Sequence, residues 1–121
     1  MVRDLGKDNM KVSIAHDNQV VVVGLSGSLD VSVQKELKDK LIDASQSKET
    51  DLVVDFSGVE FIDSSCLGVL VSLAKKLREQ KGDIKISRLS SDVKSIFQIT
   101  RLDRVFEIFD DNKQAVDSYY K

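Results

Sequence analysis

The sequence predicts an α/β fold: a mixed, mostly parallel β-sheet with helices packed on it, in the order β-β-α-β-α-β-α-β-α. Three observations carry this. The β-branched runs VVVVGL (20–25) and LVVDF (52–56) have the continuous apolar character of strands covered on both faces. Between the strand-like segments, apolar residues recur every three to four positions, the helical period. Strands that alternate with helices in this way build a parallel sheet, because each helix carries the chain back to start the next strand in the same direction. The 121 residues show no repeat, low-complexity tract or linker, so a single domain over 1–121 is expected.

The elements follow in order. MKVSIA (10–15) alternates Met10, Val12 and Ile14 against Lys11 and Ser13, as a half-buried strand does. His16-Asp17-Asn18-Gln19 is read as a tight turn into the strand 20–25. Gly27-Ser28-Leu29-Asp30 is expected to break that strand and to offer Asp30 or Ser32 as a helix cap. A helix then follows on Val33, Leu37, Leu41 and Ile42, with Glu36 and Lys40 spaced for an i,i+4 pair, and fades in SQSKET (45–50). After strand 52–56, a second helix starts at Ser64. Its apolar face is Leu67, Leu70, Val71, Ala74 and Leu77, its far side and end are charged, and Gly82 stops it. IKIS (84–87) is a short strand. SSDVKSIFQIT (90–100) reads as a capped helix with Val93, Ile96 and Phe97 inward, VFEIF (105–109) as a strand, and DNKQAVDSYY (111–120) as a closing helix.

Composition narrows the function. With 41% hydrophobic and 31% charged residues the chain reads as a globular protein, and no apolar run approaches the roughly 20 residues that cross a bilayer. The start, MVRDLGKDNMKVS, lacks the apolar centre of a signal peptide, so a cytoplasmic location is expected. A single cysteine, Cys66, leaves no internal disulfide and fits a reducing compartment. The net charge of −2 is spread without a basic stripe, and the five Phe and two Tyr do not interleave with Arg or Lys clusters, so direct nucleic-acid binding is not expected.

Successive parallel strands end at the same edge of the sheet, where open α/β sheets place their sites. The strand ends at 27–30, 57–65 and 88–91 are therefore expected to gather Ser28, Asp30, Asp63, Ser64, Ser65, Ser90 and Ser91 on one rim. Asp63 and Ser65 also fit plain helix capping, and the pattern by itself does not separate the two readings.

The chemistries that this rim could perform fall away one by one. Serine hydrolysis needs a base, and the only histidine, His16, belongs to the hairpin. Ser72-Leu73-Ala74-Lys75 matches S-x-x-K but lies inside a helix without the accompanying elements. Cys66 is not followed by the phosphatase-type arginine, since residue 72 is Ser, and a structural cysteine is expected. No zinc spacing, EF-hand, phosphate-binding glycine loop or dinucleotide fingerprint occurs, and no cofactor is expected. The acidic pair and lysine of a two-component receiver are missing. What survives is a residue modified by another enzyme. Ser64, in the first turn of a helix at an exposed rim, is open to a protein kinase. A phosphate would bring about −1.5 to −2 charges, which a helix N-terminus accommodates.

The residues quoted so far also carry a resemblance. Gly27-Ser28-Leu29-Asp30, Leu52-Val53-Val54-Asp55-Phe56-Ser57, Phe61-Ile62-Asp63-Ser64-Ser65, Leu67-Gly68-Val69-Leu70, and Val93-Lys94-Ser95-Ile96-Phe97 followed by Leu102 resemble the STAS domains, specifically the stand-alone bacterial anti-sigma factor antagonists. The resemblance covers nearly the whole chain, and D-S-S-x-L-G is its most specific block. It implies a STAS-like fold and a binding module, not an enzyme. The unphosphorylated form would hold an anti-sigma factor that is itself a serine kinase, a PP2C-type phosphatase would reverse the modification, Ser64 would be the phosphoacceptor, and Asp30 would lie in the partner surface. Ser28, Asp63 and Ser65 are expected in the same partner-binding surface, with Asp63 and Ser65 flanking the phosphosite. One departure stands out: many members have Gly where this chain has Cys66. Two other roles fit the same residues, a STAS subunit of a transporter or signalling assembly that is not phosphorylated, and a small enzyme or phosphotransfer protein using Cys66.

Overall fold

The computed structural model describes residues 10–46 and 50–120; the polar lead-in before residue 10 and part of the SQSKET stretch lie outside the described residues. Five strands, β1 (Met10–Asp17), β2 (Val20–Leu29), β3 (Asp51–Ile62), β4 (Asp83–Ser87) and β5 (Ile108–Phe109), form one sheet in the order β1-β2-β3-β4-β5. Only β1 is antiparallel to its neighbour; β2 to β5 run parallel. The helices are α1 (Gln34–Ala44), α2 (Ser64–Glu79), α3 (Ser91–Ile99) and α4 (Asn112–Ser118). The mixed, mostly parallel sheet with packed helices is the predicted class.

Strand alternation sorts the helices into two layers. Val21, Val23 and Leu25 of β2, Leu52, Val54 and Phe56 of β3, and Ile84 and Ile86 of β4 face a large core with α1, α2 and α3. The alternate residues Val20 and Val53 face α4 through Ala115 and Val116. The main core contains a run of edge-to-face rings, Phe56 on Phe97 at 5.9 Å and Phe97 on Phe106 at 6.1 Å.

Several expectations are corrected. The hairpin turn is Asn18-Gln19 alone, with Asn18 in the left-handed region that Asn tolerates, so His16 sits in β1. Gly27 does not break β2. Its φ of 103° serves one of two register shifts in the β2–β3 ladder, and the strand continues through Ser28 to Leu29. The partner strand continues as well, so Ser57–Ile62 is β3 and not a loop. On α1 the ion pair is Lys35–Asp39 instead of Glu36–Lys40. Val71 is exposed, and the buried face of α2 runs instead through Cys66, Leu67, Val69, Leu70, Leu73, Ala74 and Leu77. The last strand keeps only Ile108–Phe109 of the expected 105–109. Leu102–Arg104 makes a 3-10 turn, which turns Phe106 into the core under the Arg78 guanidinium.

The stop expected at Gly82 is made one residue earlier, and Gly82 serves a close contact instead. The left-handed residue is Lys81, and a Cβ on Gly82 would come within 2.2 Å of the Thr50 carbonyl oxygen. Replacing Gly82 with Ala therefore forces β3 and the end of α2 apart. The expected cost is about 1–3 kcal/mol, read as a shift in the urea midpoint.

Candidate functional site

The extension of β2 and β3 divides the expected rim in two. Asp55 pairs with Ser87 at the end of β4. From there β3 runs on to Ile62, roughly 20 Å further at about 3.3 Å per residue. Ser90 and Ser91 stay behind near β4, where Ser90 caps α3 by accepting from Val93 N–H. Asp30, Asp63, Ser64 and Ser65 come together at the far end.

Their contacts tie the two strand ends into one unit. Asp63 N–H donates to the Leu29 carbonyl at 2.9 Å, and the buried Cys66 thiol donates to the Asp30 carbonyl at 3.4 Å. Asp63 is the N-cap of α2: its Oδ1 accepts from Cys66 N–H at 3.1 Å and from the Ser65 hydroxyl at 2.6 Å. Asp30 caps the 3-10 turn Val31–Val33 in the same manner, accepting from the N–H and hydroxyl of Ser32. Capping is thus a real role of Asp63, and Ser65 supports it.

The Ser65 hydroxyl, aided by backbone N–H groups of Cys66, Ser65 and Val31, holds the Asp63 carboxyl below its ordinary value, against an opposing effect of burial. A depressed native value means that the ionised cap stabilises the fold above the usual aspartate range near 3.9 and stops doing so as pH falls through the native value. Asp63→Asn, which keeps a capping oxygen, is expected to lose less stability between pH 7 and pH 3 than the wild type does, as followed by thermal melts. Cys66 shows the opposite shift: burial, with Asp63 and Asp30 nearby, pushes its thiol up. A buried thiol kept protonated is a poor nucleophile, which speaks against chemistry at Cys66.

Of the two serines that open α2, Ser64 has no hydrogen-bond partner for its hydroxyl among the described residues. It is exposed at the first position of α2, whereas the hydroxyl of its neighbour Ser65 is committed to Asp63. Beside it a groove of about 540 Å³ runs between α1 and α2, with Gly68 and Val69 on one wall and Leu41 and Ile42 on the other. Lys38 and Lys76 also line it. Two exposed apolar side chains stand near the same end, Val31 at 68% and Phe61 at 47% exposure. Ser28 belongs here too, since it pairs with Phe61 across the β2–β3 ladder. Sequence reasoning missed Val31 and Phe61 as surface residues, because an apolar pattern by itself predicts burial.

Gly68 adds a further signal. It is exposed within α2, and a Cβ there would meet nothing within 4 Å. The fold has no internal need for a glycine at this point, yet glycine weakens a helix interior by about 1 kcal/mol relative to alanine. Gly68→Ala is therefore expected to raise stability by about 0.5–1 kcal/mol, measured by urea unfolding.

Among the described residues no His, Cys, Asp or Glu side chains cluster in a way that could hold a metal ion, and no helix is long and apolar enough to cross a membrane.

Comparison with known proteins agrees with this architecture. The anti-sigma-B factor antagonist of Bacillus subtilis is 29% identical over 100 residues, covering 83% of this chain and 91% of its own. Among solved structures, an anti-sigma factor antagonist from Mycobacterium paratuberculosis superposes with a TM-score of 0.82 at 24% identity, covering 94% of this chain and 97% of its own. The anti-sigma factor antagonist SpoIIAA in its unphosphorylated form gives 0.77 at 22% identity, with 91% and 96% covered. The phosphorylated form from Bacillus gives 0.69 at 22% identity, with 90% and 99% covered. The sequence profile of the STAS domain matches residues 11–115, and the chain belongs to the STAS domain family.

Proposed function

We propose that this protein is an anti-sigma factor antagonist switched by phosphorylation of Ser64. In the unphosphorylated state the end of the molecule built by Ser28, Asp30, Asp63 and Ser65 binds an anti-sigma factor that is a serine kinase, which frees a sigma factor. The kinase then transfers the γ-phosphoryl group of ATP to the Ser64 hydroxyl, leaving ADP, and the pair separates. A PP2C-type phosphatase restores the serine by hydrolysis. The protein itself is a binding module and a substrate, acting in the cytoplasm, and catalyses neither step.

The observation that carries this reading is the division of labour between adjacent serines. Ser65 is held by Asp63 at 2.6 Å, while Ser64 is exposed and free of such a commitment. The relatives named antagonists of anti-sigma factors, and the existence of SpoIIAA in both phosphorylation states, support it.

The switch works because the two consequences of phosphorylation are unequal. Within the chain, the new charge lies at the positive end of α2, where it is tolerated at roughly 0.3–1 kcal/mol in its favour. Across a docked surface, the same charge sits beside Asp63 in a contact from which water has been removed, where it is costly. Gly68 fits this picture as a point of close approach. The Gly68→Ala protein, although more stable, is expected to bind the kinase more weakly, as measured by calorimetric titration.

The test is intact mass after incubation with ATP and the candidate kinase. One added phosphate on the wild type and none on Ser64→Ala supports the proposal. A phosphate that persists in Ser64→Ala refutes the site. No phosphate on the wild type favours the other role, a STAS subunit of a larger assembly.

A further inference from the structure

β1 is an edge strand, and its outer edge is unusually accessible to another strand. Among the described residues nothing pairs with it on the side away from β2. Natural edge strands are protected by shortness, proline, bulges or charges placed in mid-strand. β1 has 8 residues, the chain contains no proline, and its ladder with β2 runs from Met10↔Gly27 to Asp17↔Val20 without a register shift. Its centre is Ile14, a large apolar side chain that is 47% exposed. The charges Lys11 and Asp17 lie towards opposite ends.

We infer that β1 pairs with β1 of a second copy of this chain, antiparallel about a two-fold axis at Ile14, joining two sheets into one. The symmetry limits the register sharply. An antiparallel two-fold pair has its axis perpendicular to the sheet, so each face of one sheet continues into the same face of the other. Side chains alternate between faces, so odd-numbered residues must oppose odd-numbered ones and even must oppose even. The axis therefore passes through a residue and never between two.

Of the central choices, only Ile14 matches the charges. It sets Lys11 opposite Asp17 twice, Ser13 opposite Ala15, Val12 opposite His16, and Ile14 opposite itself. Centring on Ser13 sets Lys11 against Ala15, and centring on Ala15 sets Asp17 against Ser13. Opposite charges directly across a ladder stabilise it, and like charges oppose it. The two Ile14 side chains would meet on the helix side, where a shallow hollow is lined by Val12, Glu36 and Lys40. This inference does not depend on the proposed function, since none of these residues belongs to the Ser64 site.

Analytical ultracentrifugation of the full chain tests it. The wild type is expected to dimerise reversibly at sub-millimolar concentration. Lys11→Asp and Asp17→Lys, each of which sets like charges opposite one another at two places, are expected to raise the dimer dissociation constant by about tenfold. The double variant Lys11→Asp/Asp17→Lys restores opposite charges and is expected to return to near the wild-type value. Ile14→Cys supplies a second measurement. Symmetry mates across a ladder stand about 4.5–5.5 Å apart, within disulfide reach, so mild oxidation should yield a covalent dimer while buried Cys66 stays reduced. A wild type that is monomeric throughout overturns the inference. So does a dimer indifferent to both single reversals, a double variant as weak as the singles, or an Ile14→Cys protein that does not cross-link.

Discussion

Ser64→Asp is expected to bind the proposed partner, an anti-sigma factor kinase, at least about tenfold more weakly than the wild type, which is about 1.4 kcal/mol, while melting within a few degrees of it. The two halves of this result come from one position. Ser64 opens α2, where a carboxylate meets unpaired N–H groups and the positive end of the helix dipole, so the fold accepts it. The hydroxyl is exposed, and the cap formed by Asp63 and Ser65 does not use it. A docked partner would instead enclose the new carboxylate next to Asp63, and two neighbouring acids in a dry contact repel each other and lose hydration. Calorimetric titration reads the first half and circular dichroism melting the second. Unchanged binding would remove the electrostatic basis of the switch, and an unfolded variant would make Ser64 a structural residue.

Phe97→Ala is expected to cost about 3–5 kcal/mol of stability, a large share of the roughly 5–15 kcal/mol that holds a domain together. Phe97 is fully buried and sits between Phe56 of β3 and Phe106 of the irregular segment after α3. Truncating it opens a hole that neither ring can fill without leaving its own place, because each is held by a different element. The effect should be specific to the inward face of α3. Ile99, two positions along, is 81% exposed, and Ile99→Ser should change stability by no more than about 0.5 kcal/mol. Urea unfolding of the two variants beside the wild type measures both.

The parts of the structure that could be read from the sequence are those governed by local rules. The start of α2 is one: Asp63 caps it, an apolar face of helical period follows, and the structure has both features. The β-branched cores of β2 and β3 are another. What could not be read depends on partners distant in sequence. SGVEFI (57–62) opens on Ser57 and Gly58 and looks like a loop, but pairing with Ser26–Leu29 makes it a strand. That pairing decides the site, because it carries Asp63 and Ser64 away from Ser90 and beside Asp30.

Two further surprises have the same origin. VFEIF alternates as a strand should, yet Phe106 is drawn into the cluster with Phe97 and only Ile108–Phe109 pairs with β4. Lys85, in mid-sheet, would be expected at the surface. It is buried instead, with its ammonium 2.7 Å from the Ser118 hydroxyl, 3.4 Å from Glu107 and 4.2 Å above the Tyr119 ring. The end of α4 (Ser118 and the following Tyr119), with Glu107 just before β5, thus covers a charged residue and supplies its partners, which no local pattern announces.

The most direct test of the proposed switch uses the protein phosphorylated at Ser64. The chain is prepared in both states, with modification at Ser64 verified by mass, and each is titrated into the anti-sigma kinase. The phosphorylated form is expected to bind at least about tenfold more weakly, with a melting temperature close to that of the unmodified chain. Equal affinity of the two forms would contradict the account.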